Sequence, residues 1–270
     1  PERDPGKDGS DARPDDPATL RPQDRGLGTR VMQHEEWFAV GGGAEKIQGF
    51  ISARAARAIT AILTDQQDRQ VLGSVAEIGA YQGKTFIGMA LAARPQESVL
   101  GVDIFPGSML QDLTAQLKAL LPTEEPANVR LVKTDSTKIS TLDWIRLLGA
   151  PVRFAHIDGD HTRDAVLSDM ILVSSHLAEE AVVVIDDYLH DWFPDVTEGV
   201  IDGLKISKNL RPVAVIPRSG PLMKGGTKLV CATPEAWKGC WDLMIRTFPE
   251  LSRREFTIAG YPAFALLNDD

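Results

Sequence analysis

The chain has 270 residues, of which 43% are hydrophobic and 25% charged, a composition that excludes a mostly disordered protein. Its 29 basic and 38 acidic residues give a formal net charge of −9 at pH 7, which disfavours general binding to nucleic acid or to a membrane. Two cysteines, Cys231 and Cys240, are too few for a disulfide scaffold, so we expect free thiols and a cytoplasmic location.

The N-terminal part carries little apolar sequence. Residues 1–30 are dominated by Pro, Asp, Arg and Gly, and we predict a disordered tail without a secretory signal. The alternative is a segment that orders on a partner subunit or over the active site. Residues 31–68 are predicted to form a helical cap or lid, with a helix over 47–64 that follows a run of three glycines. The remaining residues, 69–270, form the main predicted domain.

From residue 74 onward, short apolar segments alternate with helical patterns. Strands are predicted at 74–79, 98–103, 129–134, 152–157 and 181–186, and helices at 83–94, 107–121, 137–148, 162–177 and 197–208. This order predicts a parallel sheet covered by helices on both faces. Two β-rich segments without an intervening helix, 211–217 and 227–233, predict an antiparallel pair. A helix near 234–247 and an apolar segment, 255–267, complete the chain, and the latter suggests the interface of a homo-oligomer.

Glycines follow the first predicted strand. Gly79 and Gly83 are four residues apart, which allows a tight turn into a helix and a close approach of the backbone to a ligand. Their spacing is neither the dinucleotide-binding Gly-x-Gly-x-x-Gly nor a P-loop. The second strand ends in Asp103, where an acid can accept hydrogen bonds from two ribose hydroxyls. The structural alternatives are a plain strand-to-helix turn and an acid that caps a helix.

With these motifs the chain resembles the class I S-adenosylmethionine-dependent methyltransferases. Residues 75–90 are similar to the glycine-rich segment of the catechol-type, metal-dependent O-methyltransferases, and the later half resembles bacterial sugar and natural-product O-methyltransferases. The resemblance covers residues 70–233. It implies a Rossmann-like, doubly wound α/β fold with a seven-stranded sheet, mostly parallel with an antiparallel last strand, plus an N-terminal helical lid.

The resemblance also implies a set of cofactor-binding residues. Gly79, Tyr81 and Thr85 would hold the methionine end of S-adenosylmethionine, Asp103 the ribose, and the Asp135-Ser136 pair would flank the adenine. The full set for this cofactor is Glu77, Gly79, Ala80, Tyr81, Gly83, Thr85, Asp103, Ile104, Asp135, Ser136 and Asp158.

Acidic residues end the fourth and fifth predicted strands. Asp158 follows the fourth, and Asp186 and Asp187 follow the fifth. Neighbouring strands lie about 5 Å apart, so these carboxylates should converge at one edge of the sheet. Three close carboxylates repel each other unless a cation neutralises them, and oxygen ligands suit Mg²⁺. We therefore predict a site for Mg²⁺ or Mn²⁺, which the resemblance to the metal-dependent family also implies; the alternative is that the acids cap helices.

His161 stands three residues after Asp158. The catechol-type family typically has a Lys there as the base, whereas a His resembles the sugar-type members. An ordinary imidazole pKa near 6.5 suits proton abstraction at neutral pH, so we predict His161 as general base with Asp158 as its catalytic partner. The alternative is a histidine on a helix surface. His156 lies inside the strand and is predicted to be a core or supporting residue.

An aromatic segment follows the predicted metal site. Its candidate substrate contacts are Tyr188, His190, Trp192 and Phe193, with Trp37 on an opposite lid. A packed loop is the alternative. A solvated face is predicted for the basic residues Lys205, Lys208, Arg211, Arg218, Lys224 and Lys228.

The predicted activity is divalent-metal-dependent transfer of the methyl group of S-adenosylmethionine to a hydroxyl of a small molecule, either a sugar or a natural product. A second hypothesis is a haloacid-dehalogenase-like phosphatase, because Asp158, Asp160 and Thr162 match Asp-x-Asp-x-Thr. Three βα units precede that motif, and the gap to Asp186 is short, which disfavours a phosphatase. A third hypothesis is a non-catalytic protein that binds the cofactor.

Overall fold

The computed structural model describes residues 32–121, 128–220 and 225–267. The predicted tail, residues 1–30, lies outside these ranges, and so does Lys224. None of the helices in the described ranges is both long and apolar enough to cross a membrane.

The described elements alternate much as the hydrophobic pattern predicts. The helices are α1 His34–Phe38, α2 Ala53–Asp68, α3 Lys84–Leu91, α4 Met109–Leu120, α5 Thr141–Leu148, α6 Arg163–Ser174, α7 Pro194–Ile206 and α8 Pro234–Thr247, with 3₁₀ turns at Gly43–Lys46 and Ser136–Lys138. The strands are β1 Ser74–Ile78, β2 Ser98–Asp103, β3 Asn128–Lys133, β4 Val152–Ile157, β5 Leu177–Ile185, β6 Arg211–Ile216, β7 Lys228–Ala232, β8 Ser252–Ile258 and β9 Tyr261–Leu267.

The strands form a single sheet in the order β3-β2-β1-β4-β5-β7-β6-β9-β8. The first five strands of that order are parallel, and β7 lies antiparallel between β5 and β6. The predicted α/β fold with a mostly parallel sheet is therefore confirmed, as is the antiparallel pairing of β6 with β7. The connections run outward in opposite directions from β1 and β4, so their carboxyl ends border a crevice where ligands of such sheets bind.

The predicted strand count of seven is wrong, because within the described ranges the sheet already has nine strands. The additional pair, β8 and β9, comes from the apolar segment that we expected at an interface. β9 pairs parallel with β6, and Phe264 and Leu266 are buried in the core of the same chain. The apolar side chains of β9 therefore pack inside this chain. The homo-oligomer stays a prediction.

Helices cover both faces of the sheet, as predicted. Successive residues of one strand, such as Val75 and Ala76, belong to two different hydrophobic clusters, as the alternation of side chains in a strand requires. Residues of α2, α3, α4 and α8 pack in one cluster, and residues of α5, α6 and α7 pack in the other.

Helix α2 begins later than predicted. The side chain of Ser52 accepts a hydrogen bond from the backbone N–H of Ala55 and caps the helix there. Ile59, Ile62 and Leu63 lie on its buried face and join the sheet cluster that contains Val75. The N-terminal helices therefore share the core of the main domain, and their function as a lid stays a prediction.

Candidate functional site

A cleft of about 920 Å³ opens at the carboxyl ends of β1, β2, β3 and β4. Most of the predicted cofactor residues line it: Glu77, Gly79, Ala80, Tyr81, Thr85, Asp103, Ile104, Asp135, Ser136 and Asp158. The exception is Gly83, which precedes the first turn of α3 with φ +88°, where a Cβ would collide with Leu113. The sequence pattern thus identified the walls of this cleft.

The turn after β1 needs glycine at its first position. Gly79 has φ +89°, and a Cβ there would overlap the carbonyl oxygen of Asp158 at the end of β4. The backbone of the first strand end is therefore in direct contact with that of the fourth. This close approach explains why the cleft and the acidic residues after β4 form one site.

Asp103 organises the end of β2. Its Oδ2 accepts a 2.8 Å hydrogen bond from the N–H of Tyr81, and its Oδ1 accepts a 2.7 Å bond from the N–H of Phe105. A carboxylate oxygen can accept more than one hydrogen bond, so both oxygens remain available to hydroxyl groups in the cleft. The geometry is compatible with the predicted ribose contact, which stays a prediction.

Glu77 and His156 form a buried pair beneath the cleft. His156 Nδ1 lies 2.7 Å from Glu77 Oε1. Burial, followed by the nearby Asp158, raises the pKa of Glu77 well above its usual range. Burial also lowers the pKa of His156 to about 3, so its imidazole is neutral at pH 7. The second carboxyl oxygen of Glu77, Oε2, has no hydrogen-bond partner among the described residues, although Glu77 lines the cleft.

The loop after β3 forms the far wall of the cleft. Asp135 caps the 3₁₀ turn, because its Oδ1 accepts hydrogen bonds from the N–H and the hydroxyl of Thr137 at 3.0 and 2.6 Å. These bonds lower the pKa of Asp135. Ser136 lies next to the acid Asp169 of α6, which is fully buried. Burial raises the pKa of Asp169 to about 7.

We did not identify Asp169 from the sequence. The signal was available, because an acid occurs there among the apolar residues Met170, Leu172 and Val173 of an amphipathic helix. Gly159 passes close to the carboxylate, since a Cβ at Gly159 would lie 2.8 Å from Asp169 Oδ2. Asp169 therefore lies beneath both the loop after β4 and the loop after β3.

The acidic residues after β4 and β5 converge with His161 at one end of the cleft. His161 Nε2 lies 3.0 Å from Asp187 Oδ2 and 3.7 Å from Asp158 Oδ1. Donor atoms of Asp158, His161 and Asp187 all lie within 4.8 Å of one another. This arrangement agrees with the predicted convergence of the two strand ends.

The same cluster changes the protonation of its members. Hydrogen bonding to Asp158, followed by Asp187, raises the pKa of His161 to about 10. Burial, followed by Asp186, raises the pKa of Asp158 to about 7. Burial opposes ionisation of Asp187, but the bond to His161 and the nearby charges, Lys228 first among them, together outweigh it and lower the pKa of that carboxyl. In the protein without a ligand, His161 is therefore protonated at pH 7.

Asp186 differs from the other two acids because its cationic partner is a buried lysine. Its Oδ2 contacts the ammonium of Lys228, and its Oδ1 accepts a 2.7 Å hydrogen bond from the N–H of Asp187. Lys228 is only 1% exposed, so our prediction of a solvated face is wrong for this residue. It is the first residue of the antiparallel strand β7, whose start lies beside the end of β5. Lys205 and Lys208 are exposed, as predicted.

The aromatic segment after Asp187 packs on the histidine. Phe193 stacks on His161 with ring centroids 4.2 Å apart and on His190 with centroids 4.9 Å apart. His190 is buried, whereas Trp192 is 59% exposed. Of the predicted substrate contacts, Phe193 therefore lies beside His161, and His190 and Trp192 lie next to each other beyond it; none of the three lines the cleft itself.

Two other predicted substrate contacts are buried in the core. Tyr188 packs in the cluster formed with α6 and α7. Trp37 packs in the opposite cluster, and its Nε1–H donates a 2.9 Å hydrogen bond to the carbonyl of Lys84. Both side chains therefore have structural partners within the chain, and neither lines the cleft.

Comparisons with known proteins agree with this geometry. Residues 76–188 match the family described as "Methyltransferase domain". That range runs from β1 to the residue after Asp187 and so contains most of the residues that line the cleft, together with His161 and the three acids. A search of curated proteins returned no match.

Solved structures share the fold. The chain is similar to CalS11, a TDP-rhamnose 3′-O-methyltransferase of calicheamicin biosynthesis, with a TM-score of 0.52 and 15% identity over 65% of this chain and 77% of that one. It is also similar to an O-methyltransferase from Bacillus cereus in complex with SAH, with a TM-score of 0.50 and 14% identity over 71% of this chain and 86% of that one. The matched domain and these solved structures thus agree on a methyltransferase-type fold for this chain.

Proposed function

We propose that the protein transfers the methyl group of S-adenosylmethionine to a hydroxyl of a small molecule, a sugar or another natural product. The observation that carries this proposal is the position of His161. Its Nε2 lies 3.0 Å from Asp187 at the end of a cleft whose walls are the glycine turn and Asp103. A proton acceptor and carboxylates thus adjoin a site with the features of a nucleoside pocket.

The residues present fit S-adenosylmethionine, which supplies an electrophilic methyl group when it is bound. Among the described residues, Glu77 Oε2 is buried without a partner, and such an atom is costly unless a ligand donates a hydrogen bond to it. Asp103 keeps acceptor capacity for ribose hydroxyls. These two features support a cofactor that lies along the ends of β1 and β2.

The residues also fit a divalent ion. Asp158 and Asp187 would hold it, with Asp186 beside them, and Mg²⁺ or Mn²⁺ suits such oxygen ligands. An ion held there supplies positive charge that lowers the pKa of a nearby hydroxyl. It also counteracts the two carboxylates that keep His161 protonated, so the imidazole can act as a base.

In this proposal His161 Nε2 accepts the proton of the acceptor hydroxyl while the new carbon–oxygen bond forms and the methyl–sulfur bond of S-adenosylmethionine breaks, which leaves S-adenosylhomocysteine. Phe193 stacks on the imidazole at an interplanar angle of 16° and so restricts its orientation. Holding the acceptor oxygen and the methyl group in line contributes to the rate through positioning. The exposed side chain of Trp192 would contact the acceptor.

The residues of the phosphatase hypothesis have other roles in the fold. Thr162 is the N-cap of α6, where its hydroxyl accepts a hydrogen bond from the N–H of Ala165. Asp160 is exposed and accepts a 3.1 Å hydrogen bond from the hydroxyl of Thr162. Helix capping thus accounts for Thr162, and Asp160 is a hydrogen-bond partner of that cap.

Two measurements test the proposed function. Calorimetry should detect binding of S-adenosylmethionine, and a labelled methyl group should pass to members of a panel of hydroxylated sugars and polyketide-type metabolites. A protein that binds NAD but not S-adenosylmethionine would overturn the proposal. Labelling of amines but not hydroxyls would retain the cofactor and refute O-methylation.

A further inference from the structure

A buried ion pair adjoins the proposed metal site. Lys228 and Asp186 are both almost fully buried, and their charged groups are in contact. A charge buried without a partner is strongly destabilising, so each of these groups requires the other in the folded protein. The pair is therefore a built part of the site and not a chance surface contact.

The fold explains how a lysine reaches this position. Each parallel strand brings its carboxyl end to the cleft edge, whereas the antiparallel β7 brings its first residue there. Lys228 is that first residue, and Thr227 before it accepts a 3.1 Å backbone hydrogen bond from Tyr188. Gly226 also lies against the acids, because a Cβ there would collide with Asp187 Oδ1. The start of β7 is thus fixed behind the three carboxylates.

The charges around the site divide into two sets. Asp186 is neutralised by Lys228, and its two oxygens already have partners. Asp158 and Asp187 have no lysine or arginine among their described ion-pair partners, which are the histidines His161 and His190. These two carboxylates therefore remain available to a bound cation.

We propose that Lys228 is an internal cation that holds Asp186 as its counter-ion and so weakens divalent-ion binding. The negative charge available to the ion is then that of two carboxylates, Asp158 and Asp187. This inference rests on the proposed metal site and concerns how that site is tuned. An ammonium close to the ion repels it, and removal of that charge also frees Asp186 as a further ligand. Both effects should strengthen ion binding when Lys228 is replaced by a neutral residue of similar length.

The test is a Mn²⁺ titration followed by electron paramagnetic resonance, with the protein free of substrate. Lys228→Met should bind Mn²⁺ at least about tenfold more tightly than the wild type. Lys205→Met, which removes an exposed lysine of α7, is the matched control and should leave the affinity unchanged. Because Lys228→Met leaves Asp186 unpaired, its melting temperature should fall, and saturating Mn²⁺ should restore it more than it stabilises the wild type.

A double variant keeps the test decisive where Lys228→Met does not fold. Lys228→Met with Asp186→Asn removes both charges, leaves Asp158 and Asp187 in place, and should bind Mn²⁺ within about threefold of the wild type. Loss of binding in the double variant would show that Asp186 is a main ligand and would overturn the inference. Unchanged affinity in Lys228→Met would also overturn it while leaving the metal site intact. Absence of Mn²⁺ binding in every form would refute the metal site and the inference together. Binding of S-adenosylmethionine, measured in parallel, tests the cofactor site of the proposed function separately.

Discussion

The backbone N–H of Tyr81 donates a 2.8 Å hydrogen bond to Oδ2 of Asp103, which ties the turn after β1 to the end of β2. Tyr81 adopts a left-handed conformation with φ +47°, which is unfavourable for a residue with a bulky side chain. The bond to Asp103 helps to hold that conformation. The turn after β1 and the predicted ribose ligand Asp103 are therefore coupled, and a substitution of Asp103 also affects the conformation of the turn.

Asp103→Ala should weaken S-adenosylmethionine binding by about tenfold or more. The change removes the predicted acceptor of the ribose hydroxyls, and hydrogen bonds to a charged acceptor are each worth about 1.5–3 kcal/mol. It also releases the N–H groups of Tyr81 and Phe105. Calorimetry measures the affinity, and Asp112→Asn on α4 is a control that removes an exposed acid. An unchanged dissociation constant would exclude Asp103 from the cofactor site.

His161→Ala should reduce turnover by about 10²–10⁴-fold, the usual contribution of a general base. Calorimetric affinity for S-adenosylmethionine should stay nearly constant, because the change lies at the acceptor end of the cleft. His161→Lys should restore part of the activity and shift the pH profile toward alkaline pH, since a lysine loses its proton at higher pH. Turnover of His161→Ala within about threefold of the wild type would refute this assignment.

Chelation should abolish methyl transfer, and added Mg²⁺ or Mn²⁺ should restore it, because the proposed ion neutralises Asp158 and Asp187. Asp187→Asn should weaken metal binding and leave the fold intact, since this acid lies at a strand end. Metal affinity and the melting curve check the two halves of this prediction. Full activity in excess EDTA would exclude a catalytic metal.

Asp169 should make stability depend on pH. Burial raises its pKa from 3.8 to about 7, so the folded protein keeps the proton while the unfolded chain loses it. Stability therefore falls as the pH rises between these values and levels off above about 7. Asp169→Asn removes this titration, so its melting temperature relative to the wild type should be more favourable at pH 8 than at pH 5. The control is Asp68→Asn, at the exposed end of α2. Its melting temperature should differ from that of the wild type by the same amount at both pH values.

Phe264→Ala should lower the free energy of unfolding by about 3–5 kcal/mol, the usual cost of removing a buried aromatic side chain. Phe264 is buried in β9 and packs edge to face on Trp241 with ring centroids 4.6 Å apart. Leu267→Ala, at the exposed end of the same strand, is the control and should cost far less. Urea denaturation measures both. If both variants lost the same small amount of unfolding free energy, burial of β9 in the core would be contradicted.

The predictable part of the site depends on local sequence and on parallel pairing. Gly79, Asp103 and Asp158 each follow an apolar segment, and parallel strands bring such positions to one edge. Lys228 could not be located in this way, because its place depends on the reversed direction of β7 and on the pairing of Ile185 with Leu229. That register is a property of the whole sheet and not of the residues around the lysine.

Packing caused the other differences. The sequence predicts a substrate surface at Tyr188, an aromatic residue after the metal site, and at Trp37, an aromatic residue of the lid. Aromatic character also favours burial, and the fold places both in the core. Strands β8 and β9 were missed because one is almost wholly exposed and the other was interpreted as an interface. The sequences of β8 and β9 do not indicate which strands they pair with.

The two outer strands of the sheet have consequences for self-association. An unpaired edge can recruit another chain and start aggregation, and charged side chains oppose this. β3 carries Arg130 and Lys133, and β8 carries Arg253, Arg254 and Glu255. We therefore expect the protein to resist edge-to-edge polymerisation at high concentration, and we expect any homo-oligomer to associate through a helical layer.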